Sequence, residues 1–150
     1  MIIDKVVTHI DSLSEEERKS RHIEKVFLQS DDLVKRIQRV VTDHGKELGI
    51  SLAHAKELVH GDVLYMDDHS LIVIHVLPDE LLVIYPRTIK EMGEVAHSLG
   101  NRHLPAQFEG EKMLVQYDYL VEELLQKDGI PCSREKMAVR KAFRHVDHRH

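Results

Sequence analysis

A change of hydrophobic period at Pro86 limits the fold of this chain more than any other feature. Before it, apolar and polar residues alternate in short runs, at 2–9, 23–28, 37–41, 50–52 and 63–65, as strands with one face in a core do. Turn residues separate the runs, in Asp43-His44-Gly45, His60-Gly61-Asp62 and Asp67-Asp68-His69, and Glu15-Glu16-Glu17-Arg18-Lys19 reads as a solvated loop. The apolar-rich stretch 71–85 is interrupted at Pro78-Asp79-Glu80, and proline cannot donate to a central ladder, so a short linker is expected there.

After Pro86 the period becomes helical. Thr88-Ile89-Lys90-Glu91 has the form of a capping box that opens a helix, with Ile89, Met92, Ala96 and Leu99 on one face and Gly100 as its left-handed stop. Strand signals follow at 107–109 and 113–117, with Gly110 in the turn between them. Asp118 can cap a second helix striped by Leu120, Val121, Leu124 and Leu125 and closed by Gly129 and Pro131. A last strand is read at 137–143. The expected class is therefore α+β: an all-β domain over 1–77, a ferredoxin-like βαββαβ domain over 78–143, and a tail at 144–150.

Composition excludes several functions. Lys plus Arg number 21 against 26 for Asp plus Glu, a net charge of −5, which argues against general nucleic-acid binding. No apolar stretch approaches the ~20 residues of a membrane helix. Met1-Ile2-Ile3-Asp4-Lys5 lacks the basic n-region and long apolar core of a signal peptide, so a cytoplasmic location is expected. The single cysteine, Cys132, can form no internal disulfide and suits a reducing compartment. Catalysis has little support: there is no His-Glu-x-x-His pair, Gly-x-Ser-x-Gly elbow or phosphate loop, and the paired acids Glu122-Glu123 and Glu15-Glu16-Glu17 read as solvated charges.

Histidine is the unusual abundance, with twelve copies. His103 closes Gly100-Asn101-Arg102-His103, on a loop held by a helix end whose partial negative charge favours a cation; a surface or capping role is the plain alternative. His97 lies on the helix, beside Gly93 and Ala96, where it can border a packed surface. His145, His148 and His150 place three imidazoles and the Asp147 carboxylate within six residues, a donor set suited to nickel, copper or zinc. The alternative there is a solvated basic tail; a purification tag is disfavoured because Val, Asp and Arg interrupt the histidines. His9, His22, His44, His54, His60, His69 and His75 show no repeating ligand spacing, and nearly all of them read as isolated surface residues.

Taken together, Met1-Ile2-Ile3 through His9-Ile10-Asp11, Arg36-Ile37 with Arg39, Gly61-Asp62-Val63-Leu64-Tyr65, Glu91-Met92-Gly93, Gly100-Asn101-Arg102-His103 and the histidine-bearing C-terminus give the chain a resemblance to the UreE-type urease accessory proteins, nickel metallochaperones of urease maturation. The resemblance spans essentially the whole length. It implies an N-terminal domain for peptide or partner contact, a ferredoxin-like metal-binding domain, and a homodimer formed through the latter. It implies that His103 meets its counterpart across the dimer axis, that His148 and His150 match tail ligands with His145 added, and that nickel passes as cargo to apo-urease with a GTP-hydrolysing accessory partner. Zinc or copper would bind the same donors in vitro. Tyr117 and Tyr119 stand where some members carry a His-x-His pair, so a secondary site built on that pair is not expected. The competing expectations are a peptide-binding chaperone module or a general zinc- or copper-binding protein without a role in nickel delivery.

Overall fold

The computed structural model describes residues 1–53 and 57–143, which fall into two compact units. The first comprises Met1–Leu77 joined by Ala138–Ala142, and the second contains Pro78–Met137.

In the first unit the strands are β1 (Ile2–Ile3), β2 (Thr8–His9), β3 (His22–Leu28), β4 (Ile37–Val41), β5 (Glu47–Ser51), β6 (Asp62–Met66) and β7 (Ser70–Val76), with a short helix α1 (Glu15–Lys19) between β2 and β3. They make two sheets, ordered β1-β5-β4 and β2-β6-β7-β3. Ile3, Val40, Leu48 and Ile50 from one sheet and Val26, Leu28, Leu64, Ile72 and Ile74 from the other share a single buried cluster. Each fully buried aliphatic side chain of this kind contributes roughly 1.5–3 kcal/mol.

Two readings of this half are corrected. The run 2–9 is not one strand: β1 pairs in parallel with β5, and β2 pairs antiparallel with β6 in the other sheet. A chain that changes sheets keeps its alternation while its pairing breaks, so the pattern alone hides the switch. The acidic run at 15–19 is not a loop but α1, closed by a reciprocal capping box in which the Glu17 amide donates to Ser14 Oγ and the Ser14 amide to Glu17 Oε1. None of its residues is buried, so it has no apolar stripe to reveal it.

The second unit contains β8 (Asp79–Ile84), α2 (Ile89–Asn101), β9 (Ala106–Glu109), β10 (Lys112–Gln116), α3 (Tyr119–Lys127) and β11 (Cys132–Met137). Its sheet is ordered β11-β8-β10-β9 with every neighbour antiparallel, the ferredoxin-like topology. Leu82, Ile84, Met113 and Val115 from the sheet pack against Val95 and Leu99 of α2 and Val121 and Leu125 of α3. Asp118 caps α3, its Oδ1 accepting from the Leu120 and Val121 amides.

Here too the structure departs from the sequence reading. β8 begins at Asp79 itself, so the connection is only Leu77-Pro78 rather than a linker over 78–80. Ile89 is 93% exposed and Val95 takes its place in the core, and Leu120 is likewise exposed. The final strand is β11, not 137–143. Its polar sequence Cys-Ser-Arg-Glu-Lys-Met is that of an edge strand hydrogen-bonded on one side only, to β8, which conceals it from apolar periodicity. Ala138–Ala142 leaves the second unit and packs with the first, where the His60 amide donates to the Arg140 carbonyl and Ala142 joins the core cluster.

Candidate metal centre

His103 is held by the way α2 ends. Gly100 does not stop the helix, which runs on to Asn101. The left-handed residue is His103, at φ 58, alone among the described non-glycine residues in having positive φ. Around it the Leu104 amide donates to the Leu99 carbonyl and the His103 amide to the Gly100 carbonyl, the paired bonds of a Schellman motif. Leu104 also packs against the cluster that buries Leu99, the apolar contact that usually accompanies this motif. An L-residue in this conformation carries a cost of roughly 1–2 kcal/mol that glycine avoids. The helix end therefore fixes an exposed imidazole at a position where backbone preference alone would select glycine. The C-terminal end of α2 carries partial negative charge, which favours a nearby cation by ~0.3–1 kcal/mol.

Earlier on α2, His97 is exposed, and its Nε2 lies 3.3 Å from Asn101 Nδ2. That amide donates to the ring, so the Nε2 lone pair of His97 is engaged. Among the described residues no three His, Cys, Asp or Glu side chains assemble into a metal-binding group. His145, His148 and His150 lie outside the described residues.

Tyr117 belongs to a local network, its hydroxyl donating to Glu122 Oε1 at 3.0 Å while the Arg134 guanidinium lies 4.0 Å from its ring centre. The bond to Glu122 and burial raise its pKa, so the phenol keeps its proton. Burial, reinforced by the Glu122 carboxylate, pushes the Cys132 thiol up and away from thiolate character.

The first unit brings together histidines that look isolated in the sequence. His22 Nε2 lies 2.9 Å from His44 Nε2 although the residues are 22 apart in the chain. His9 Nε2 bonds the His60 carbonyl at 2.9 Å, and the His60 and His75 rings meet edge to face with centroids 4.8 Å apart. Tertiary folding brings these residues together across turns and separate sheets, so no spacing rule could have found them. The Gly61-Asp62 signature proves structural: at φ 92, Gly61 leaves room for the His9 ring where a Cβ would stand 2.7 Å from Nε2, and the buried Asp62 accepts from the Val59 amide.

Comparison with known proteins matches residues 3–77 to the N-terminal domain, and residues 79–150 to the C-terminal domain, of the UreE urease accessory protein. Relatives named "Urease accessory protein UreE" include one from Geobacillus kaustophilus (strain HTA426), 63% identical over 150 residues, covering all of this chain and 99% of its own length. Those from Bacillus sp. (strain TB-90) and Staphylococcus carnosus (strain TM300) are each 60% identical over the same coverage.

Proposed function

The chain belongs to the UreE urease accessory protein family, with a role in urease maturation, and from that premise we propose that it is a cytoplasmic nickel carrier acting as a homodimer. The observation that carries the reading is His103, a histidine kept where α2 would be better closed by glycine. One imidazole is a poor site. A two-fold contact between second domains doubles it, because each ligand meets its own copy.

The surface of α2 supports such a contact. Ile89, Gly93 and Gly100 share one helical face beside His97, no described residue lies within 4 Å of the Cβ position of either glycine, and Ile89 is exposed. Small residues allow a second backbone to approach closely, and Ile89 supplies the apolar contact. In this reading the His103 pair holds Ni(II), and His145, His148 and His150 fill the remaining positions. The chain then hands the ion to apo-urease together with a GTP-hydrolysing accessory protein. Tail ligands can dissociate one at a time while the central pair still holds the ion, which suits a carrier rather than a catalyst. Zn(II) and Cu(II) compete for the same imidazoles in vitro. The exposed Ile2, Ile37 and Val41 give the first unit an apolar surface for partner contact.

Nickel titration by calorimetry, on the full chain and on a chain ending at Arg144, tests the division of labour. The shortened chain keeps one ion per dimer at reduced affinity. Loss of all nickel binding on shortening would place the site in the tail alone and overturn the paired-His103 reading.

A further inference from the structure

His22 and His44 take no part in the function proposed above, and we propose that they form a separate site for a divalent first-row transition ion such as Ni(II) on the first unit. His22 opens β3, placed by its register with Ser70 and by its amide donating to the His69 carbonyl. His44 sits in the turn between β4 and β5, where Thr42 Oγ1 accepts from the His44 and Lys46 amides. Both rings are exposed to solvent and so within reach of an ion.

The hydrogen bonds select the tautomer that a metal needs. Asp43 Oδ1 accepts from the Lys25 amide at 2.9 Å and lies 2.8 Å from His44 Nδ1. A carboxylate has acceptors only, so the short contact needs a proton on the imidazole nitrogen. His44 therefore carries its proton on Nδ1 and turns the Nε2 lone pair toward His22, the carboxylate–imidazole arrangement that orients metal ligands. Without a metal, His22 Nε2–H donates across the 2.9 Å gap. Two nitrogens bound at ~2.0–2.1 Å to one ion at a right angle stand about 2.9 Å apart, as square-planar or octahedral coordination requires. Rotation of the two rings aims both lone pairs at one ion. His22 then moves its proton from Nε2 to Nδ1, with no net proton released.

Glu24, two residues along β3 and so on the same strand face as His22, has a buried Oε2 without a hydrogen-bond partner. A cation bound nearby would give that oxygen a charged neighbour. Water fills the remaining positions of this open site, which binds more weakly than a closed four-ligand one.

The test adds Ni(II) alone to the full chain, following the imidazole resonances by NMR and counting ions by equilibrium dialysis. His22 and His44 signals broaden in one shared step; His44→Ala and, separately, His22→Gln remove one ion per chain. Asp43→Asn weakens that step by about 10–100-fold. His103→Ala leaves it intact, which separates this site from the function proposed above. An unchanged ion count in both histidine variants, nickel-insensitive His22 and His44 signals, or loss of the step in His103→Ala would each overturn the proposal.

Discussion

At φ 58, His103 adopts a backbone conformation that glycine holds at less cost, so stability and ligation can be separated at one position. His103→Gly removes the ~1–2 kcal/mol left-handed penalty and adds back ~0.4–1 kcal/mol of unfolded-chain entropy. The variant therefore unfolds at parent-like or slightly higher denaturant concentration. His60 makes a second residue-scale prediction. Its Nδ1 accepts from the Val76 amide at 3.1 Å, which only a ring unprotonated there can do. Burial first, then the His75, Arg140 and His9 charges, lower its pKa, with Asp11 opposing. A histidine with a depressed folded pKa binds more protons when unfolded, so its contribution is fully present above ~6.5 and is lost as pH falls through the lower folded value. Denaturation between pH 8 and pH 5 should show this loss. His60→Asn, whose Oδ1 still accepts from Val76, should flatten it; equal pH dependence in both proteins would remove His60 from the account.

Among the elements, α2 joins the core to the proposed contact between copies. Val95 and Leu99 are buried, while Ile89, Gly93 and Gly100 present a face that no described residue of the unit covers. Ile89→Glu should leave the far-ultraviolet circular dichroism unchanged and shift light scattering from dimer to monomer; a dimer of parent affinity would move the interface elsewhere. Both helices of the second unit are legible in the sequence because Thr88 and Asp118 cap them and their apolar stripes repeat. The capping box of α2 is legible only in half: Glu91 turns to the Arg87 amide and guanidinium rather than to Thr88. Gly100 misleads because the Leu99–Leu104 contact secures the helix end beyond it, outweighing the ~1 kcal/mol cost of a helical glycine. For α1 and β11 the missing signal is burial, since an element with few apolar contacts leaves no period to read.

For the whole molecule, the ferredoxin-like order is legible because each change of period marks a change of element. The return of Ala138–Ala142 to the first unit, and the meeting of His22 with His44, depend on tertiary pairing that spacing does not encode. The metal-binding account also predicts a pH profile for the assembled protein. Imidazoles bind metal only when neutral and ordinarily titrate near ~6.5, so nickel affinity should fall steeply between about pH 7 and pH 5, with more than one proton taken up per ion released. Carboxylate ligands alone would hold nickel across that interval, because Asp and Glu ionise near ~4.

Calorimetric nickel titration of His103→Gly beside the parent at pH 7.5 decides whether paired His103 residues create the tight site. Because glycine keeps the end of α2 intact, the account predicts a folded dimer that has lost its tightest one-per-dimer nickel step and retains only weaker binding. A tight step of unchanged affinity and stoichiometry in that variant would contradict it.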